Sequence, residues 1–293
     1  MKLNHFLLLT IVLFSGLFAP IYANASIIQV VAAENMYGNV AQQLGGQHVQ
    51  IDIILNNPDE DPHLFELTPN VGKTLSQAEV IIKNGLGYDS WIDRLLNKYN
   101  VKQKHVISVQ QLLKDKDGGN PHLWYNIASI EALSNQLTLI YKTLQPEHKS
   151  FFTKQHSNFI NQLVQLNERI KKIKSFSSKV PIAATEPVFG LMAKQLGFIV
   201  KEEPYQWTVM NNGEPTAKQM AQFQQDLKSH SVKILFYNNQ VVTPATEQLK
   251  KLAEQTNIPV IGVSELMPAS LTYQSWMNQV LDEVENVLKK NSK

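Results

Sequence analysis

The chain of 293 residues contains no cysteine. That excludes disulfides, thiolate metal sites, cysteine nucleophiles and the lipid-modified cysteine that tethers many exported proteins to a membrane. A strong charge of one sign is also lacking, since 27 lysines and arginines stand against 25 acids. With no basic stripe along the chain, nucleic acid is not an expected partner. The apolar run from Phe6 to Phe18 is interrupted by Thr10, Ser15 and Gly16 and is too short to span a bilayer. There is no His-Glu-x-x-His helix, no Gly-x-Ser-x-Gly elbow and no Walker-type phosphate loop, so these hydrolase and nucleotide-binding signatures are excluded as well.

What is present at the start reads as an export signal. Lys2 precedes the apolar run, Pro20 breaks it, and Ala23-Asn24-Ala25 offers small residues at alternate positions, the pattern a signal peptidase accepts. Residues 1–25 are therefore predicted to be a cleaved signal peptide, with Ser26 opening the mature chain. Together with the missing cysteine, this predicts a free periplasmic protein that is not lipid-anchored; a monomer is expected. Removing 25 of 293 residues leaves 268, more than one core comfortably fills, which predicts two domains.

Short Val/Ile-rich runs alternate with longer amphipathic stretches. Ile27 to Ala33, Val49 to Leu55, Glu79 to Lys83 and His105 to Val109 are predicted strands of a parallel sheet. Tyr37 to Leu44, Asn70 to Gln77 and Tyr88 to Lys98 carry apolar residues at three- and four-residue spacing, as helices covering a sheet do. From Gln145 to about Phe176 the pattern lengthens. Phe151, Phe152, Phe159, Leu163, Leu166, Ile170 and Ile173 recur at helical spacing without a Pro or Gly among them, and one helix of roughly 45 Å would result. Pro146 fits its first turn, and Arg169, Lys171, Lys172 and Lys174 suit the negative end of its dipole. Beyond it come predicted strands at Val180 to Thr185, Val232 to Tyr237 and Ile258 to Val263. The accompanying predicted helices are Pro187 to Leu196, Pro215 to Ser229, Pro244 to Thr256 and Tyr273 to Lys289. The predicted fold is α/β: two Rossmann-like, doubly wound lobes, 26–144 and 179–293, joined by one long backbone helix at 145–178.

In such sheets the ligand crevice lies outside the carboxyl ends of the strands. Polar residues just past strand ends are thus the first candidates. The loop after the second strand carries Asp61-Pro62-His63, and Asn120-Pro121-His122 repeats the Pro-His pair after the fourth. Glu186 directly follows the first strand of the second half, and Glu265 follows the last. Singly, a loop histidine is usually solvated and a glutamate before a helix is usually a cap. Jointly, two imidazoles and two carboxylates facing one cleft supply donors, and compensating charge, for a divalent cation.

These segments resemble the zinc and manganese solute-binding proteins of ABC importers. The resemblance covers essentially the whole mature chain and rests on Asp61-Pro62-His63-Leu64-Phe65-Glu66-Leu67-Thr68-Pro69, Asn120-Pro121-His122-Leu123-Trp124, Thr185-Glu186-Pro187-Val188-Phe189-Gly190 and Glu265. It implies two lobes joined by a backbone helix, and His63, His122, Glu186 and Glu265 as metal ligands. It also implies Mn2+ or Zn2+ as the transported ion, a membrane permease of an ABC importer as partner, and no catalysis. A metal-dependent hydrolase or a metal-binding surface adhesin is the alternative reading.

The chain departs from the pattern in three places. Asn120 stands where aspartate is common, Glu186 stands where many zinc members have histidine, and the stretch Leu113 to Gly119 is short and free of histidine. The carboxylate-rich set leans to manganese, which accepts six donors, while the Irving–Williams order gives zinc the higher intrinsic affinity. Of the remaining polar residues, Glu34 could accept from a ligand imidazole, although a cap is the simpler reading. Asp61 and Asn120 are read as turn-shaping; Asn238 and Asn239, just past a strand, could line the cleft, although turn formation is the simpler reading. His48, His105, His148, His156 and His230 receive no role.

Overall fold

The computed structural model describes residues 26–59, 61–98, 105–114 and 119–291. The predicted signal peptide and most of the stretch from Leu113 to Gly119 lie outside them.

The first sheet is built from β1 (Ile28–Glu34), β2 (Val49–Leu55), β3 (Val80–Lys83) and β4 (His105–Ser108), all parallel and in the order β2-β1-β3-β4. The central strands β1 and β3 are buried over almost their whole length, as helix-covered parallel strands must be. At the edge, β2 exposes Gln50 and Asp52 on one face. Helices α1 (Asn35–Gly45), α2 (Pro69–Gln77), α3 (Ser90–Lys98), α4 (Val109–Leu113) and α5 (Ile127–Leu144) accompany this sheet.

A single helix, α6 (Lys149–Ser177), then runs for 29 residues, a length of roughly 43 Å. Pro146 opens a one-turn 3-10 segment just before it. The second sheet holds β5 (Pro181–Ala184), β6 (Ile199–Val200), β7 (Ile234–Asn238) and β8 (Val260–Val263), parallel and ordered β6-β5-β7-β8. Its helices are α7 (Gly190–Gln195), α8 (Glu203–Met210), α9 (Ala217–Lys228), α10 (Pro244–Gln255) and α11 (Tyr273–Asn291).

The predicted fold class is therefore observed, with differences of detail. Helix α5 was not anticipated, although Ile127, Ile130, Leu133, Leu137 and Tyr141 are all buried on one helical face and the Asn126 side chain caps its start. Strand β6 was missed because it is only two residues long. Pro215 does not open α9, whose cap is Thr216, in a reciprocal capping box with Gln219. Thr243 caps α10 with Pro244 in its first turn, as expected.

The chain's largest apolar core runs from Ile28 to Leu288 without a break between the halves. Helix α6 contributes Phe152, Phe159, Leu163, Leu166, Ile170 and Ile173 to it, packing against α1, α5 and α11. Arg169, expected to serve the helix dipole, instead reaches across to α11. It donates to the Asn278 carbonyl at 3.1 Å, to Asn278 Oδ1 at 2.9 Å and to the carboxylates of Asp282 and Glu285. In both sheets the winding reverses beside the first strand, between β1 and β3 and between β5 and β7. The carboxyl ends of the two sheets thus open a crevice at these switch points, and the loops that follow them carry His63, His122, Glu186 and Glu265.

Candidate metal centre

Each candidate donor sits on a loop whose shape is fixed by its immediate sequence. After β2, Asp61 Oδ1 accepts from the His63 amide at 2.8 Å while Pro62 opens a single 3-10 turn, Pro62–Leu64. This capped turn sets the direction of the imidazole. After α4, Asn120 plays the corresponding part for His122. Its Oδ1 accepts from the His122 amide at 3.0 Å and lies 2.7 Å from His122 Nδ1. The same loop is anchored from below, where Asn84 Nδ2 donates to the Pro121 carbonyl at 2.8 Å and Tyr37 donates to Asn84 Oδ1 at 2.6 Å. Tyr88 and Trp124 stand edge-on to the His122 ring, at centroid distances of 6.2 and 5.3 Å.

In the second half, Glu186 follows β5 and Thr185 directly and is almost fully buried. Glu265 lies just past β8, its amide 2.5 Å and that of Leu266 2.9 Å from Gln240 Oε1. Two further contacts tie this loop to the first half. Asn35, at the start of α1, donates to the Met267 carbonyl at 2.8 Å and accepts from the Met267 amide at 2.9 Å. Tyr125 donates to the Ser264 carbonyl at 2.9 Å.

All four candidates meet around the Glu265 carboxylate. Oε2 of Glu265 lies 3.4 Å from His63 Nε2 and 3.6 Å from His122 Nε2, and it accepts from the Tyr88 hydroxyl at 2.9 Å. Oε1 accepts from Asn238 Nδ2 at 2.8 Å, and the same amide donates to Glu186 Oε2. Three buried atoms of the cluster have no hydrogen-bond partner: His63 Nε2, His122 Nε2 and Glu186 Oε1. His63 is the most open of the four, at 19 % side-chain exposure against 0 % for His122 and Glu265, while Glu186 is almost fully buried.

The electrostatics follow from this crowding. Burial and the neighbouring Glu265 charge push Glu186 up to about 8. Burial works to lower His63, but the adjoining Glu265 carboxylate, helped by Glu186 and Asp61, outweighs it and lifts the imidazole to about 9. Burial would raise Glu265 too, yet the two imidazoles hold it well below the usual carboxylate range. Two like carboxylates and two imidazoles have been gathered in a place where water cannot screen them. Among the described residues, no three His, Asp or Glu side chains stand close enough together to hold a metal ion as they are placed.

Sequence reasoning undervalued four contributors. Asn238, read as a turn residue, bridges the two glutamates. Tyr88 and Gln240 were not singled out, although both follow strands, where cleft residues concentrate. Asn35 carried no sequence signal beyond its place after β1. Glu34 is fully buried, and neither of its carboxylate oxygens has a hydrogen-bond partner; burial, with Asp89 adding to it, pushes its carboxyl up. Among the histidines given no role, His48 and His148 lie in a tilted ring contact with centroids 4.0 Å apart, and His156 contacts Asn135.

Comparison with known proteins agrees with this architecture. The manganese ABC transporter substrate-binding lipoprotein PsaA of Streptococcus anginosus is 23 % identical over 284 residues, covering 90 % of each chain. Among solved structures, the periplasmic zinc-binding protein TroA from Treponema pallidum superposes with a TM-score of 0.75 at 18 % identity, covering 89 % of this chain and 99 % of that one. The solute-binding protein FpvC from Pseudomonas aeruginosa, in complex with Mn2+, gives 0.74 at 16 % identity over 90 % of this chain and 99 % of its own.

One expectation is corrected by these relatives. PsaA and FimA are named lipoproteins, which contradicts the expectation of a protein that is not lipid-anchored. The absence of cysteine is a property of the sequence, but the step from it to a free protein is withdrawn, and location on the outer side of the cytoplasmic membrane is what remains. The model of the family "Zinc-uptake complex component A periplasmic" (ZnuA) matches residues 30–287, nearly the whole described chain, and the protein belongs to that family.

Proposed function

We propose that this protein captures a divalent transition metal ion, Mn2+ or Zn2+, between its two lobes and delivers it to the permease of an ABC importer. His63, His122, Glu186 and Glu265 are the ligands in this reading. The observation that carries it is the set of orphaned buried donors around Glu265. Separations of 3.4 and 3.6 Å between its Oε2 and the two Nε2 atoms are long for hydrogen bonds. They do suit ligands sharing one ion, because atoms about 2.1 Å from a tetrahedral centre stand roughly 3.4 Å apart. A cation would replace the protons that now offset the crowded charges.

The segments 26–144 and 179–293 act as the two lobes and 145–178 as their link, with little movement on binding, because a continuous helix and a shared core resist hinge opening. The ion enters past His63, the most open of the four ligands. The protein works as a monomer, without nucleic acid and without catalysis. Four protein ligands leave no open position for an activated water, unlike a catalytic zinc site.

Thermal unfolding with added MnCl2 or ZnCl2 tests the proposal. A ligand that binds only the native state raises the melting temperature as its concentration exceeds Kd. The parent protein is expected to show this shift and His63→Ala to lose most of it. An undiminished shift in His63→Ala would contradict the ligand set.

A further inference from the structure

Asn120 makes three contacts, which together connect His122 to the opposite lobe. Its Oδ1 faces the His122 amide at 3.0 Å and His122 Nδ1 at 2.7 Å, and its Nδ2 faces the Pro187 carbonyl at 2.7 Å. The orientation of the amide is forced. The His122 amide can only donate and the Pro187 carbonyl can only accept, so a flipped amide would oppose both. Because Oδ1 accepts from Nδ1, that nitrogen carries a proton, and Nε2 is left as the atom facing Glu265.

The far contact belongs to the other half of the molecule. Pro187 directly follows Glu186, so Asn120 pins the backbone beside a second-lobe ligand while orienting a first-lobe ligand. Room for this contact is provided by Gly190, where a Cβ would lie 2.9 Å from Asn120 Nδ2. An aspartate at position 120 could still accept from His122, but its second oxygen would face the Pro187 carbonyl, acceptor against acceptor. The contact therefore depends on the amide.

We infer that Asn120 is a positioning residue that latches the two lobes across the site, holding His122 in its metal-binding tautomer and Glu186 in register, and that it thereby slows metal release. This rests on the proposed metal-capture reading. The latch requires no ion, since all three hydrogen bonds join protein groups.

Two neutral substitutions separate its parts. Gly190→Ala presses on the Asn120 amide from the second lobe and leaves the Asn120 and His122 side chains and every charge chemically unchanged. Asn120→Ala removes both the latch and the hydrogen bond to Nδ1. Zinc-loaded protein is mixed with excess chelator, and release is followed by stopped flow from pH 6 to 8. Loss of a partner that orients a ligand imidazole typically costs 10- to 100-fold in metal affinity. Release from Asn120→Ala is therefore expected to be at least about tenfold faster than from the parent, because the His122 ring loses the partner that orients it. Gly190→Ala is expected to speed release by a smaller factor. Hydrogen exchange in the metal-free proteins reads the latch independently of metal: amides of residues 187–192 should exchange faster in both variants. A parent that binds no zinc contradicts the metal reading and leaves the exchange result to decide the latch. Parental release rates in Asn120→Ala, or parental exchange at 187–192 in both variants, overturn the latch.

Discussion

His63 Nε2 and Glu265 Oε2 face each other at 3.4 Å across the two halves of the molecule, and neither imidazole pointing at Glu265 finds a hydrogen-bond partner on its Nε2. The loop after β2 and the loop after β8 thus meet at one carboxylate, which also touches His122 and, through Asn238, Glu186. Removing that carboxylate should disable the whole cluster. Glu265→Gln keeps the shape and the Asn238 contact region but lacks the charge, and it is expected to lower metal affinity at least about 100-fold, beyond the 10- to 100-fold typical of an orienting partner. Calorimetric titration measures it; a loss below threefold would remove Glu265 from the ligand set.

Proton release should accompany binding. Glu186 at about 8 and His63 at about 9 hold protons at neutral pH in the metal-free protein, and a cation must displace them. Apparent affinity should therefore rise as pH goes from 6 to 9. Stability of the metal-free protein should move the opposite way. Both folded-state values lie above the ordinary ones, so each group contributes stability below its unfolded pKa and loses it as pH rises through the folded value. For Glu186 that window runs from its ordinary 4.5 to about 8, and for His63 from 6.5 to about 9. Melting curves of the parent and of Glu186→Gln across this range separate the site's share from that of other groups. An affinity flat between pH 6 and 9 would contradict the assignment.

The bidentate pairing of Asn35 with the Met267 backbone is wholly buried. Asn35→Ala strands an amide and a carbonyl without partners, at a cost of about 1–3 kcal/mol for each buried group left unsatisfied. The variant should unfold at lower denaturant and bind metal more weakly, because the Glu265 loop loses its tie to α1. Equilibrium unfolding with and without zinc checks both effects.

Most of this architecture was legible beforehand because the strands and the long helix carry strong periodic signals. The ligand candidates stood out as Pro-His pairs and post-strand glutamates, where backbone restriction and topology both point at a crevice. What escaped were residues whose roles depend on who faces them. Tyr88 precedes α3 in an unremarkable loop, and only folding brings its hydroxyl to a carboxylate 177 positions away in sequence. Asn120 and Asn238 look like turn residues by composition, and they do sit beside turns, but their amides reach across the fold. Helix α5 was legible in principle, because Ile127, Ile130, Leu133, Leu137 and Tyr141 form a regular apolar face. The predicted free state was drawn from the missing cysteine and was overturned by relatives that are named lipoproteins.

Both metals should bind in the test tube, with zinc the tighter. Affinity for nitrogen and oxygen donors rises along the Irving–Williams series from manganese toward copper and falls back to zinc, which still exceeds manganese. Glu186 in place of a softer donor narrows the gap by offering manganese a second carboxylate oxygen. Competition titration of the manganese-loaded protein with zinc measures the order; displacement of zinc by equimolar manganese would contradict it.

The central claim is that two imidazoles and two carboxylates from opposite halves hold one ion. X-ray absorption spectroscopy of the zinc-loaded protein tests it most directly. The predicted spectrum has four to six nitrogen and oxygen neighbours at about 2.0–2.2 Å and no sulfur, with outer-shell scattering from two imidazoles that falls to one in His63→Ala. A sulfur neighbour, or an imidazole count that His63→Ala leaves unchanged, would contradict the account.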